Sequence, residues 1–170
     1  MFIECTKKCS EAMKIKTNDV VPMKREPFYE WHANLFMFDR RKGVILMNNQ
    51  TRYCIVLYGL KAEHFKKFES IVLSAIRETF LAEGFSENKV DTYMDNCGEV
   101  IYTKTHDRSI LSQISEFLIS ITWEIEEFIP NDHLNLIELN RWVGNNLMCG
   151  TLGYAHPIDL LNKEMSKIEA

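Results

Sequence analysis

The side chains best suited to chemistry gather in two short stretches. The first is Trp31–Asn49, where His32 and Asn34 sit two apart and Arg40, Arg41 and Lys42 follow in a run. In an extended strand alternate residues share a face, so His32 and Asn34 point the same way. A histidine and an amide on one face could form a proton-transfer pair or a small polar pocket, joined by Thr103 or Thr105 from a neighbouring strand. The competing reading is a polar pair on a half-covered sheet. The run Arg40-Arg41-Lys42 could grip phosphate or an acidic partner; a solvated turn is its plainer explanation.

The second stretch is His106-Asp107-Arg108-Ser109, placed where a strand passes into a helix. Free N–H groups at a helix start can receive an anion, and Arg108 would add to that pull. Asp107 or Ser109 would equally serve as an ordinary cap. No glycine-rich loop precedes this stretch, so a nucleotide-phosphate cradle has no support. Glu116, Glu124, Glu126 and Glu127 read as the solvated side of a helix. Trp123 falls just off that helix's apolar stripe, and an exposed tryptophan would mark an interface.

These residues need elements to position them. Tyr29–Phe38 is rich in aromatics and reads as a strand. Trp31, Ala33, Leu35 and Met37 alternate to one face; His32, Asn34, Phe36 and Phe38 go to the other. Asp39–Gly43 is a turn in which Gly43 is expected to supply a positive φ. Val44–Met47 is a second strand, Asn48–Gln50 a turn, and Arg52–Tyr58 a third strand. Phe2–Cys5 is a short first strand and Lys7–Lys14 a short helix. A loop from Thr17 to Pro27 carries Pro22, Lys24, Arg25 and Glu26. Lys61–Glu83 is a long helix with Phe65, Phe68, Val72, Ile76 and Phe80 as its stripe. Gly84 ends it, and Ser86 caps a shorter helix to about Met94.

Glu99–Thr105 reads as another strand, expected to insert beside the three-strand meander. The second long helix runs to Phe128 with Ile110, Ile114, Phe117, Leu118, Ile121 and Ile125 inward, and Pro130 stops it. Asn131 or Asp132 caps a third helix through Val143, ended by Gly144. A loop to Tyr154 leads to a last helix with Pro157 in its first turn. The expected fold is α+β, one domain over residues 1–170: a small antiparallel sheet with amphipathic helices over one face.

Composition narrows the partners. The 170 residues are 46% hydrophobic with a net charge of −4, which argues against a general nucleic-acid coat. No apolar run approaches a membrane span, and the start lacks a signal-peptide core, so a cytoplasmic protein is expected. Cys5, Cys9, Cys54, Cys97 and Cys149 are odd in number and read as reduced thiols. Cys5 and Cys9 could share a helix face, but zinc would need two more ligands. The sequence therefore names no metal site and no cofactor.

Four blocks carry a resemblance: E-C-T-K-K at the start, W-H-A-N-L-F with D-R-R-K, K-T-H-D-R-S-I-L (Lys104–Leu111), and L-N-R with G-T-L-G-Y-A-H-P-I (Leu139–Ile158). Together they are similar to a set of bacterial domains of unknown function. The resemblance spans nearly the whole chain and departs at Trp142–Cys149, read as a longer loop. It implies an accessory role of the kind found on mobile elements. The expected function is a non-enzymatic interaction domain that binds a larger protein, as an inhibitor of a host defence or nuclease system. Two alternatives stand beside it. One is a nucleic-acid binder using Arg40, Arg41, Lys42, Arg52 and Arg108. The other is a small enzyme holding an anionic substrate with His32, Asn34 and Arg108.

Overall fold

The structure is a computed structural model, and it describes residues 1–18, 26–128 and 134–169. Five strands form one sheet: β1 (Phe2–Cys5), β2 (Glu30–Phe38), β3 (Arg41–Asn48), β4 (Cys54–Leu60) and β5 (Ile101–Lys104). Their order is β4-β3-β2-β1-β5. The meander β2-β3-β4 is antiparallel as expected. The first strand lies between β2 and β5 and runs parallel to both, so the sheet is mixed. The strand expected beside the meander, β5, therefore pairs with β1 at the far edge. The N-terminal residue leads it there: Ile101 N–H donates to Met1 O at 2.9 Å.

Helices cover both faces, not one. The helices are α1 (Lys7–Met13), α2 (Ala62–Phe65), α3 (Phe68–Ala82), α4 (Glu87–Cys97), α5 (Arg108–Phe128), α6 (Leu136–Asn146) and α7 (Pro157–Met165). Trp31, Ala33, Leu46 and Ile55 pack with α1, α3, α4 and α7. Phe36, Ile45, Met47, Cys54 and Val56 pack with α5 and α6. The unbroken apolar run Val44–Met47 requires this, because a strand apolar on both sides must be buried on both. The α+β class holds; the sheet is the middle of three layers.

Several local expectations change. The helix expected over Lys61–Glu83 breaks between α2 and α3. His64 folds back so that its Nδ1 accepts the Lys61 N–H at 2.9 Å, which closes a separate short turn, and Phe65 and Phe68 stack at 6.2 Å. Gly84 does end α3 with φ +95°. The hairpin turn belongs to Asp39 and Arg40, with φ of 41° and 58°, and Arg41 and Lys42 are already in β3. Gly43 has no positive φ. It lies under the Phe36 ring, which a Cβ there would enter. Gly144 does not end α6 but sits inside it, making room for the Tyr53 ring. The helix continues to Asn146, so most of the expected long loop after Arg141 is helical. The stops and caps expected at Pro130, Asn131 and Asp132, and the loop residues Pro22, Lys24 and Arg25, lie outside the described residues. Asn135 caps α6, accepting from Ile137 and Glu138 N–H.

One side chain closes the outer edge of the meander. Asn140 on α6 accepts the Val56 N–H at 2.7 Å and donates to Thr79 on α3 at 3.2 Å. It thus pairs an edge-strand amide that would otherwise be buried and unsatisfied. Asn140→Ala should lower stability by about 2 kcal/mol, the cost of orphaning buried polar groups, measured as a shifted urea midpoint with an unchanged slope.

Candidate functional site

The parallel register of β1 brings together side chains far apart in sequence. Glu4 pairs with His32 on one side and with Thr103 on the other. All three are buried, as is Glu30. They lie on the α5 side of the sheet, the face to which Phe36 and Met47 also point. Asn49 reaches across from the turn after β3. Its Nδ2 donates to Glu4 Oε1 at 2.9 Å and to Glu30 Oε2 at 3.1 Å. With the amide nitrogen committed to two carboxylates, the amide oxygen must face His32. Asn49 Oδ1 lies 2.7 Å from His32 Nδ1, so Nδ1 carries the proton and Nε2 of the neutral ring carries a lone pair.

That lone pair has no hydrogen-bond donor among the described residues. Glu4 Oε2 lies 3.4 Å from it. His106, at the corner between β5 and α5, also touches Glu4 Oε2 through its Nδ1. The Nε2 of His32, Oε2 of Glu4 and Nδ1 of His106 lie within 4.8 Å of one another. Burial lowers the pKa of His32; the Glu4 charge and the Asn49 bond oppose this, and His106 adds to it. The fold therefore favours the neutral ring.

Arg52 borders the same region with φ 59°. It is buried, and its guanidinium donates to the Asn49 carbonyl. Burial lowers its pKa against the pull of Asp107. Asp107 also caps α5, its Oδ1 accepting the N–H groups of Ser109 at 2.8 Å and Ile110 at 3.3 Å.

The chain is matched over residues 2–160 by the family model for a domain of unknown function, DUF6933. It belongs to that family. No curated protein matches it. The description of DUF6933 carries no activity, so any role must be read from this geometry.

The expected site residues of this DUF6933 chain separate into four places. His32 and Thr103 flank Glu4 as strand partners. Asn34 shares their face but accepts from Thr6 Oγ1 at 3.1 Å. Arg108 opens α5 and is exposed. Arg40, Arg41 and Lys42 lie at the opposite end of β2, about 20 Å from His32 at ~3.3 Å per strand residue. Trp123 is 69% exposed on α5, one turn from Ile119 at 57%. Sequence reasoning missed Glu4; it placed Asn49 in a turn and His106 in the stretch that opens α5, and joined neither of them to His32. An acidic residue inside the apolar strand F-I-E-C was the available signal, because a lone carboxylate in a buried strand needs a partner.

All five cysteines are free and buried, and burial pushes the Cys97 thiol up to about 12. The Cys5 thiol is raised first by its hydrogen bond with Cys9. Alkylation of the native protein at about pH 8 should label no cysteine within minutes, and urea should expose all five, since the thiolate is the reactive form. Asn49→Leu should cost about 3 kcal/mol in urea unfolding by stripping buried carboxylates and an imidazole of their shared partner.

Proposed function

We propose that this chain is a protein-interaction domain whose hairpin β2–β3 receives an acidic partner. The observation that carries this is a cleft of about 620 Å³ lined by Met37, Arg40, Arg41, Lys42, Gly59, Leu60, Lys61 and Ala62. Met37 is 57% exposed within it. An apolar centre ringed by cations has the anatomy of a protein interface, where a buried hydrophobic spot is enclosed by a polar rim. Arginine is among the residues that dominate such contacts.

The apolar lining favours a protein over a nucleic-acid backbone. So does the overall charge of −4. Of the cations counted for nucleic-acid binding, Arg52 is buried and committed to the Asn49 carbonyl, so it offers nothing to a phosphate. Trp123 and Ile119 supply a second exposed apolar patch for a large partner to reach. Among the described residues no helix is long and apolar enough to cross a membrane. Five unpaired cysteines support a reducing compartment such as the cytoplasm. The resemblance to bacterial accessory domains favours a larger host protein, such as a defence or nuclease component, as the partner that this domain inhibits.

The test is affinity capture from the native host with wild type and with R40E/R41E/K42E. These positions are on the surface, so the variant should keep its stability within about 0.5 kcal/mol. Wild type should retain one protein in stoichiometric amount. The triple variant should lose at least about tenfold in affinity for it, mainly through slower association. Equal capture by both proteins, or capture of nucleic acid alone, would overturn the reading.

A further inference from the structure

We propose that Glu4, His32 and His106 form a binding site for one divalent transition-metal ion of the zinc, manganese or iron class. The inference is independent of the hairpin cleft and rests on the arrangement of three donor atoms. Two acceptors, His32 Nε2 and Glu4 Oε2, face each other at 3.4 Å. Among the described residues His32 Nε2 has no hydrogen-bond partner, so a buried lone pair is aimed at the carboxylate oxygen with no proton to share with it. Donors bound tetrahedrally at roughly 2.0–2.1 Å stand about 3.4 Å apart, so the observed gap is that of two ligands sharing one ion. His106 Nδ1 falls within the same 4.8 Å group; it contacts Glu4 Oε2 directly, so an entering ion would take the place of the proton shared there and part the two donors.

The surroundings fit a metal centre in a second respect. A ligating histidine commonly donates its other ring N–H to a carbonyl or carboxylate, which fixes the tautomer and aims the lone pair. Asn49 does this for His32 through Oδ1. The same side chain holds Glu4 Oε1 through Nδ2, leaving Oε2 as the oxygen directed at both histidines. One amide therefore orients two of the three donors.

Ligand chemistry selects the ion. Two imidazole nitrogens and one carboxylate oxygen suit zinc, manganese, cobalt and iron(II) better than magnesium or calcium, which prefer oxygen. Thiolate does not compete, because Cys5 packs into the core on the Trp31 face while Glu4 faces α5. The site is open on one side. The His106 side chain is 58% exposed whereas Glu4 and His32 are fully buried. Three protein donors and an exposed side leave room for water or a ligand at a further position.

The decisive experiment titrates chelator-stripped protein with Zn²⁺ and with Mn²⁺ by calorimetry, and with Co²⁺ by absorbance. Wild type should bind one ion per chain and gain thermal stability with it. H106A is the cleanest variant, because that side chain is 58% exposed, and circular dichroism should show it folded. It should weaken binding by more than the roughly tenfold typical of an outer-shell change and abolish the thermal gain. E4Q and H32Q should do the same where circular dichroism shows them folded. Failure of wild type to bind any of the three ions at one per chain would overturn the proposal. So would equal binding by wild type and H106A, which would place the ion elsewhere.

Discussion

The molecule depends on how it accommodates two carboxylates at the centre of its sheet. Glu4 and Glu30 are buried on neighbouring parallel strands, two residues apart in register and so on the same face. Charges in that setting are tolerable only when each is partnered. The Asn49 amide supplies a donor to both and an acceptor to His32. Its position is in turn fixed by the backbone. Asn49 N–H donates to Glu30 O at 2.9 Å, and Asn48 builds the turn by accepting from Gln50 and Thr51 N–H and from the Thr51 hydroxyl. Arg52, in the left-handed region, completes that turn by donating to the Asn49 carbonyl. A single tight connection between β3 and β4 thus sets the electrostatics of β1 and β2.

This explains the contrast between the two faces of the sheet. On the Trp31 face the few polar atoms are matched locally. The indole N–H donates to Tyr93 Oη at 3.3 Å, and that hydroxyl donates to Phe28 O at 3.1 Å. On the α5 face the matching is incomplete. His32 Nε2, Arg52 Nε and Thr103 Oγ1 are buried without hydrogen-bond partners among the described residues. Native folds tolerate few such atoms, and several on one side of one sheet is a sign of a site shaped for something besides stability.

Much of the scaffold was legible because it rests on short-range periodicity. The alternation in β2, the apolar stripes of α3 and α5, the Ser86 and Asp107 caps and the Gly84 stop each follow from residues within one or two turns. The same local reading misjudged Gly43 and Gly144. A glycine there signals close approach of an aromatic ring, Phe36 or Tyr53, and such a neighbour is chosen by tertiary packing. The Glu4 network was illegible for a related reason. Asn49 and Glu4 are 45 residues apart, and His106 and Glu4 are 102 apart. They meet only because β1 inserts between β2 and β5, a strand order that no local pattern encodes. The Val44–Met47 run did contain the two-sided burial of the sheet, and a reading that weighed it would have placed helices on both faces.

Strand β2 carries one end of each candidate region, His32 toward its start and Met37 toward its tip. Eight consecutive register pairs bind β2 to β3, from Trp31–Asn48 to Phe38–Arg41. A strand so paired does not slide, because a one-residue slip would exchange the two faces and drive His32 into the Trp31 core. The two regions are therefore held at a fixed separation of about 17 Å at ~3.3 Å per residue. At that range, with no shared side-chain partner, effects on one should add to effects on the other within about 0.5 kcal/mol. Departure from additivity would require β2 itself to move, and the strand is clamped on one edge by β1 through the Glu4–Asn49 network. Among the described residues the Asn49 amide joins the β3–β4 turn to both parallel strands, so a movement of β2 at the Glu4 centre would be carried into that turn.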